Sequence, residues 1–308
     1  MERGMNKVVI VTRKTRLNDL IYKYNTMEQA KFYIEHMGAD FSDYIREDKR
    51  YRQAVSEVME ASEKYARVQR IDRDFLPNMI FGKKDIVITV GQDGLVANTL
   101  KYLDGQPLIG VNPDTSRWDG KLLPFEAGEA EQILLKVIGG NHQLKEITMA
   151  QARTQDGQIM LAVNDLFVGQ KTHVSARYDI TWNRRTEYQS SSGIIVSTGL
   201  GSTGWYRSVM TQAAGIAEEF GRGNFKWKQI GWDENKLIFV VREPFPSCST
   251  QTKIIYGKVT QTDTFKILSK MPGGGVVFSD GIESDAIEFN AGTEITIQIA
   301  PKQGILVV

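Results

Sequence analysis

The sequence predicts two regions, an α/β domain with a parallel sheet followed by a β-rich domain that resembles an all-β sandwich. Strand and helix patterns alternate in the first half of the chain, which is typical of parallel sheets. From about residue 144, short strand patterns follow one another almost without interruption. A chain of 308 residues is long enough for two cores. We therefore expect an α/β domain over 1–143 and a β-rich domain over 144–292, with a tail over 293–308 that can return to the first sheet.

The composition favours a cytoplasmic protein that acts on small molecules. Hydrophobic residues make up 41% of the chain and the net charge is +1, so no strong field attracts nucleic acid or a membrane surface. The one cysteine, Cys248, cannot form an internal disulfide, which fits a reducing compartment. The three histidines lack metal-ligand spacing, and we predict no metal-binding side chains. Residues 1–7 lack the apolar segment of a secretory signal.

Each element of the first region has its own sequence pattern. Apolar runs predict buried strands, and apolar residues at helical spacing predict helices. The strands are expected at 8–12, 86–90 and 107–111, and the helices at 26–38, 46–66, 95–103 and 128–138. Residues 70–77 are expected to be irregular.

The stretch from Ile86 to Leu95 is the first candidate for a site. A buried strand stops at Gly91-Gln92-Asp93-Gly94 and a helix follows. Ligands bind at the carboxyl ends of strands in open α/β sheets, and helix N-termini suit phosphate. The alternative is a structural turn whose acid caps the helix. The basic loop Arg13 to Arg16 follows the first strand and is expected at the same edge, where its cations could meet phosphate.

The second region is predicted to hold many strands and one helix. An Asp156-Gly157 turn splits strands over 147–153 and 158–168, and the helix is expected over 202–220. A loop is expected over 221–232, and the last strands are half-buried or apolar.

A second strand, glycine loop and helix follow in this region, from Gly193 to Tyr206. The loop Thr198-Gly199-Leu200-Gly201-Ser202-Thr203 carries hydroxyls, and its glycines let backbone N–H groups approach an anion. No GK[ST] follows, so it is not a Walker A loop. The alternative is a serine-capped helix entry.

Two short motifs that each contain an aspartate complete the set of candidates. Asn164-Asp165 lies within the apolar run of the 158–168 strand, where a ribose diol would satisfy two polar side chains that are costly to bury alone. A β-bulge is the alternative. Asp280-Gly281 follows a strand and, taken alone, predicts a hairpin turn.

Taken in order, these motifs resemble those of the NAD kinase family, in the superfamily of diacylglycerol and sphingosine kinases. The family's GGDG turn, Asn-Glu pair, T-x-G-S-T loop and late Asp-Gly correspond to the four motifs above. Ile109-Gly110-Val111-Asn112 is similar to its G-x-N segment. Arg177 to Ile180 and Ser192-Gly193 are similar to the mitochondrial-type members.

The resemblance implies a fold, a reaction and roles for these residues. The reaction is phosphorylation of the 2′-hydroxyl of NAD by ATP, with Mg²⁺ or another divalent cation, in a homodimer or homotetramer. Asp93 would be the catalytic acid-base group, and Asn164, Asp165 and Tyr206 would bind the ribose and nicotinamide parts of NAD. The residues implied in phosphate and nucleotide binding are Gly91, Gln92, Gly94, Asn112, Thr198, Gly199, Gly201, Ser202 and Thr203. Arg16 and Asp280 are further candidates.

Two departures from the family pattern keep other functions open. Gln92 replaces the second glycine of GGDG, and Asp165 is one methylene shorter than the family's Glu. Both fall at acceptor-binding motifs, so a kinase of the same fold that phosphorylates a sugar, polyol or nucleoside is the second hypothesis. A non-catalytic nucleotide-binding protein is the third, although such a protein would not need Asp93.

Overall fold

The computed structural model describes residues 7–221 and 227–308. The chain divides into two compact units, one made of residues 1–145 with 305–308 and the other of residues 146–304. Each unit has its own hydrophobic core. Residues 222–226 of the loop predicted over 221–232, and residues 1–6 before the first strand, lie outside the described residues.

The first unit is built on a parallel sheet. Its strands are β1 (Lys7–Thr12), β2 (Arg67–Asp72), β3 (Ile86–Val90), β4 (Leu108–Asn112) and β5 (Phe125–Glu126). The order is β2-β1-β3-β4, and all neighbours are parallel. β3 and β4 consist entirely of buried residues, as the apolar runs predicted. Near the end of the chain, Leu306 pairs with Leu108 of β4, also in parallel.

Helices complete the layers of the first unit. They are α1 (Arg16–Tyr24), α2 (Met27–His36), α3 (Phe41–Glu63), α4 (Asp93–Leu100) and α5 (Ala130–Ile138). α3 and α5 share a core cluster with one face of the sheet. In α3 the apolar residues Tyr51, Val55 and Val58 recur at helical spacing, which is why this long charged helix buries one side.

Two predictions for the first unit were wrong. Residues 70–72, expected to be irregular, belong to β2, because an edge strand whose residues are mostly polar lacks the apolar run of a central strand. Helix α1 was not predicted, although Thr15 and Asn18 form a capping box at its start.

The second unit consists of two sheets and one helix. Its elements are β6 (Leu144–Thr154), β7 (Ile159–Ala162), β8 (Asp165–Gln170), β9 (Ala176–Trp182), β10 (Arg185–Ser191), β11 (Ile194–Ser197), α6 (Trp205–Glu219), β12 (Leu237–Val241), β13 (Tyr256–Val259), β14 (Phe265–Ser269), β15 (Gly275–Ser279), β16 (Ile282–Glu288) and β17 (Glu294–Val307). One sheet has the order β13-β12-β11-β8-β15-β16 and is antiparallel. Strands β10, β9, β14 and β17 follow one another in the other, with β6 paired to β17 and β7.

The strand predicted over 158–168 is in fact two strands. β7 ends at Ala162 and β8 begins at Asp165, so Asn164 lies between strands and not within one. The break has a clear cause, since the backbone N–H groups of 163, 164 and 165 donate to the carboxylate of Asp280. No helix of the described chain is long and apolar enough to cross a membrane.

Candidate functional site

The GQDG turn lies where the strand order of the first unit reverses. β2 lies on one side of β1 and β3 on the other, so the switch point is between the carboxyl ends of β1 and β3. Crevices at such points are the usual ligand sites of open α/β sheets. Gly91 follows β3 directly, and Arg13 follows β1. The methylene Cδ of Arg13 lies 3.7 Å from the position a Cβ on Gly91 would occupy.

Asp93 is the first residue of α4, and one of its oxygens is already positioned. Oδ1 accepts a hydrogen bond of 2.8 Å from the backbone N–H of Leu122. The helix N-terminus favours the negative charge. Among the described residues, no group donates to the other oxygen. The carboxylate is half-buried, oriented from one side, and open for a proton from the other.

The neighbours of Asp93 differ in the space and the hydrogen-bonding groups that they leave available to a ligand. Gln92 is extended and precedes α4 without capping it through its side chain. Gly94 is exposed, and a Cβ there would meet no atom within 4 Å. A Cβ on Gly91 would lie 2.8 Å from a methyl group of Leu95. Open space at Gly94, and a Gln92 side-chain amide that makes no hydrogen bond to any other described residue, suit a ligand that passes over the turn.

Asn112 holds the loop that positions Asp93. Its Nδ2 donates to the Trp118 carbonyl (2.9 Å), and its Oδ1 accepts from the Asp114 amide (3.0 Å). The same loop reaches Leu122, whose carbonyl would lie 2.0 Å from a Cβ on Gly110. Asn112 is buried, so the structure gives this predicted nucleotide-binding residue a supporting role in the loop.

Arg16 belongs to a network of ion pairs in the first unit. Its guanidinium contacts Asp43 (2.7 Å) and Glu47. Arg117, in the loop after β4, also pairs with Asp43 (2.5 Å). Hydrogen bonds from Arg117 and then Arg16 hold the pKa of Asp43 well below its usual value. Arg16 is therefore committed to two carboxylates.

A polar cavity of about 530 Å³ opens beside the carboxyl ends of β1 and β2. Four cations line it, namely Arg13, Lys14, Arg52 and Arg70, together with the carboxylates of Asp48 and Asp72. The sequence indicated the basic loop after β1. It did not indicate Arg52 or Arg70, because one lies on the charged helix α3 and the other on the unpredicted strand β2.

The second glycine loop uses its hydroxyls to hold its own shape. Thr198 donates to the Val163 carbonyl (2.5 Å), Ser202 to Gly199 (2.7 Å) and Thr203 to Leu200 (3.3 Å). Gly199 and Gly201 are required by close backbone approaches, since a Cβ would lie 1.9 Å and 2.1 Å from carbonyl oxygens. These hydroxyl oxygens keep lone pairs, whereas their protons are already donated.

Asp165 and Asp280 form a half-buried acidic corner next to that loop. Asp280 has a φ of +54° in the hairpin between β15 and β16, and its carboxylate accepts the three amides of 163–165. Asp165 Oδ1 is buried and, among the described residues, has no hydrogen-bond partner. Burial raises the pKa of Asp165 to about 7, and the charge of Asp280 acts in the same direction, whereas a hydrogen bond from Ser197 lowers it.

Tyr206 lies inside the second unit, and its neighbour is more accessible. Tyr206 is 1% exposed, and its hydroxyl lies 3.2 Å from that of Tyr256. Trp205 is half-buried, stacks on Phe167 and lies beneath the guanidinium of Arg242. Trp205 was not predicted as a site residue, although its position directly after the glycine loop was a usable signal.

No cluster of three or more His, Cys, Asp and Glu side chains suited to a metal ion occurs in the described ranges 7–221 and 227–308. A divalent cation would therefore need oxygen ligands from a bound phosphate and from water.

Comparison with known proteins agrees with this architecture. A curated NAD kinase of Cytophaga hutchinsonii is 29% identical over 132 residues, which cover 40% of this chain and 44% of that protein. Yeast NADH kinase, solved with NADH, superposes with a TM-score of 0.60 at 14% identity, covering 99% of this chain and 84% of that one. An Archaeoglobus fulgidus NAD kinase solved with ATP gives 0.57 at 15% identity, covering 98% and 93%.

The chain has the NAD kinase fold. The two-domain architecture and the resemblance to the NAD kinase family, both predicted from the sequence, are thereby confirmed. The aligned stretch spans less than half the length of the curated relative, and the two solved kinases are similar in fold. No family model matches the chain.

Proposed function

We propose that this protein is a kinase that transfers the terminal phosphoryl group of ATP to the 2′-hydroxyl of NAD and so produces NADP. The observation that carries the proposal is Asp93. It lies at the switch point of the parallel sheet, at the start of α4, with one oxygen fixed by Leu122 and the other open. The similarity to an NAD kinase over 132 residues supports the choice of acceptor.

Asp93 is proposed to orient the attacking hydroxyl and to accept its proton. In phosphoryl transfer the protein contributes mainly alignment and neutralisation of charge. An acid held by a backbone N–H keeps one oxygen at a defined position, which is what alignment of a hydroxyl requires. The proton then passes from the hydroxyl oxygen to the free carboxylate oxygen as the bond to phosphorus forms.

The cationic cavity beside β1 and β2 is proposed to receive the phosphate donor. Its volume of about 530 Å³ lies within the range of small-molecule sites. Arg70 reaches the cavity from β2 and has no ion pair among the described residues, whereas Lys14, on the loop after β1, would exchange its ion pair with Asp74 (2.8 Å) for the phosphate. The triphosphate would bring a divalent cation with it, because the protein offers no acidic cluster for one among the residues described.

Asn164 and Asp165 are proposed to bind ribose hydroxyls of the acceptor. Asp165 is half-buried and its Oδ1 has no hydrogen-bond partner among the described residues, so a ribose O–H that reaches this oxygen would satisfy it. We assign the aromatic contact to Trp205 rather than to Tyr206, because Trp205 is half-buried whereas Tyr206 is 1% exposed. Such hydrogen bonds stabilise the ionised carboxylate, so acceptor affinity is expected to rise as the pH passes through about 7.

A different hydroxyl acceptor is the second candidate. Gln92 places an amide with no capping role next to Asp93, and Asp165 is shorter than the glutamate of the family pattern. Both side chains would contact the acceptor, so a sugar, polyol or nucleoside is the alternative substrate. The chemistry at Asp93 would be the same.

One assay separates these functions. The purified protein is incubated with ATP, Mg²⁺ and NAD, and NADP is measured with an NADP-specific dehydrogenase. We expect NADP to form, Asp93→Asn to reduce turnover by roughly 10²-fold or more, and Asp104→Asn, at an exposed acid after α4, to leave turnover unchanged. Equal turnover in Asp93→Asn would contradict the role of Asp93.

The other outcomes identify the alternatives. If ATP is consumed only when a different hydroxyl compound is present, that compound and not NAD is the acceptor. Nucleotide binding in a thermal-shift assay, without any transfer, would indicate a binding protein. We further propose a homodimer or homotetramer, as the family resemblance implies, which light scattering of the purified protein tests directly.

A further inference from the structure

The second unit contains a cavity that none of the functions above uses. It has a volume of about 680 Å³ and lies between α6 and the outer face of β12 and β13. The residues Asn164, Asp165, Thr198, Ser202 and Thr203 do not line it. Small-molecule sites commonly enclose about 300–1,000 Å³ with mostly apolar walls and a few polar groups.

The walls of this cavity are apolar and aromatic. Val209 and Met210 contribute from α6, and Ile238 and Val240 from β12. The rings of Tyr206, Trp227 and Tyr256 also line it. Tyr206 and Trp227 meet edge to face with ring centroids 6.0 Å apart. Aromatic walls of this kind favour an apolar chain or ring over a hydrated sugar.

The charged groups that line the cavity are mostly cations. They are Lys228, Lys236 and Lys258, against the single carboxylate of Glu234. Glu234 is paired with Lys236 and accepts the amide of Gly231. Lys228 and Lys258 are exposed and have no ion pair within the part of the chain that the structure describes. The cavity therefore offers apolar walls together with two lysines that form no ion pair among the described residues, although Glu234 lies near enough to Lys228 for the two charges to interact.

We propose that this cavity binds a small amphipathic anion, a molecule with an apolar chain or ring and a carboxylate or similar acidic group. The apolar part would lie against Met210, Ile238 and Tyr256, and the acidic group would pair with Lys258 or Lys228. A long-chain carboxylate has both features. A neutral or cationic molecule with the same chain lacks the partner for the lysines. This inference does not depend on the proposed kinase activity.

The cavity also adjoins the helix that follows the second glycine loop. Tyr206 is three residues beyond Thr203, and Met210 lies one turn further along α6. An occupant of the cavity would contact α6 directly.

Binding of decanoate to the full chain tests the proposal. Isothermal titration calorimetry is carried out below the micellar concentration, with decanol and decyltrimethylammonium as probes of the same chain length. We expect decanoate to bind and to raise the melting temperature, decanol to bind more weakly, and decyltrimethylammonium not to bind. Higher salt concentration should weaken the binding of decanoate and leave the binding of decanol unchanged.

Two variants with matched controls locate the binding. Lys258→Glu should weaken the affinity for decanoate by roughly tenfold. Lys171→Glu, at an exposed lysine elsewhere in the second unit, should leave this affinity unchanged. Ala213→Trp should fill the cavity and abolish binding. Gln212→Trp, at an exposed neighbour that does not line the cavity, should preserve it. Circular dichroism checks that both tryptophan variants fold.

Three results would overturn the proposal. They are a failure of decanoate to bind the parent protein, equal binding to Ala213→Trp, and equal affinity for decanoate and its cationic analogue. If Ala213→Trp instead dissociates an oligomer while decanoate has no effect, the cavity is an interface between copies of the chain.

Discussion

At the residue scale, the space around individual glycines and the hydrogen bonds of individual side chains determine whether a ligand can bind over the GQDG turn. A Cβ on Gly94 would meet empty space, whereas a Cβ on Gly110 or Gly201 would clash with a backbone carbonyl oxygen about 2 Å away. The glycines of this protein therefore differ in purpose. Gly110 and Gly201 are needed for the fold, and Gly94 leaves room beside Asp93.

Gly94→Ala separates these purposes. Alanine fits the open space and has the higher helix propensity, so the stability is expected to stay unchanged or to rise by up to about 1 kcal/mol. If phosphate passes over the turn, NADP formation should fall by roughly tenfold or more. Gly215→Ala on α6, where the Cβ position is equally empty, is the control. It should keep full activity. Full activity in Gly94→Ala would place the phosphate elsewhere.

Asp165 predicts a pH dependence of stability. Its pKa is raised to about 7, so the folded state favours the protonated acid. That contribution is present below the unfolded pKa and is lost as the pH rises through about 7. We expect Asp165→Asn to gain up to about 3 kcal/mol relative to the parent between pH 5 and pH 8.

Thermal unfolding followed by circular dichroism measures this difference. The melting temperatures of Asp165→Asn and the parent should diverge as the pH rises. Asp233→Asn, at an exposed acid of the same unit, should follow the parent throughout. Parallel profiles for Asp165→Asn and the parent would show that Asp165 is ionised throughout this range.

At the level of elements, one side chain of α3 joins the two strand ends of the switch point. The Tyr51 hydroxyl accepts from the Arg13 amide (2.7 Å) after β1 and donates to the Val90 carbonyl (3.1 Å) at the end of β3. Burial raises the pKa of Tyr51 to about 12, so the hydroxyl stays protonated and can serve both strands. Helix α3 thus fixes the spacing between the basic loop and the GQDG turn.

Tyr51→Phe removes this bridge and keeps the ring. Two buried backbone groups lose their partner, which should cost about 1–3 kcal/mol in the free energy of unfolding, measured by urea denaturation. Turnover should fall as well, because the hydroxyl that fixes the spacing between the Arg13 loop and the turn that carries Asp93 is removed. Tyr22→Phe, at a ring that is 91% exposed, should change neither quantity. A loss of stability with unchanged turnover would limit Tyr51 to a structural role.

At the level of the whole molecule, the first unit is completed by the end of the chain. Leu306 and Val307 are fully buried, and Leu306 pairs with Leu108 of β4, nearly 200 residues earlier in the chain. Such a contact ties the last strand to the sheet that carries the GQDG turn. The stability of the first unit therefore depends on residues outside its continuous segment.

Leu306→Ala tests this dependence. Removing a fully buried leucine from the core should cost about 2–5 kcal/mol. Val308→Ala, at a side chain that is 42% exposed, should stay within about 0.5 kcal/mol of the parent. Urea denaturation of both variants gives the comparison. Similar midpoints for Leu306→Ala and the parent would mean that the sheet tolerates the loss of this strand.

Local patterns explain which elements could be predicted. Buried strands such as β3 and β4 are continuous apolar runs, and α5 has apolar residues at helical spacing, so each was recognised from neighbouring residues. The edge strand β2 and the break before Asp165 were not. Their conformations depend on β1 and on Asp280, which are far away in the sequence.

The sequence by itself determined the order of the motifs and the strand and helix on either side of each glycine loop, and it pointed to Asp93 as the candidate catalytic acid. Tertiary structure decided the rest. It brought Leu122 to Asp93 and left Asp165 Oδ1 without a partner among the described residues. It also turned the hydroxyls of the second loop onto nearby backbone carbonyls, and buried Tyr206 more completely than Trp205. The physical reason is range. Side-chain periodicity reports on neighbours along the chain, whereas hydrogen-bond partners and accessible space are set by residues that meet only when the chain folds.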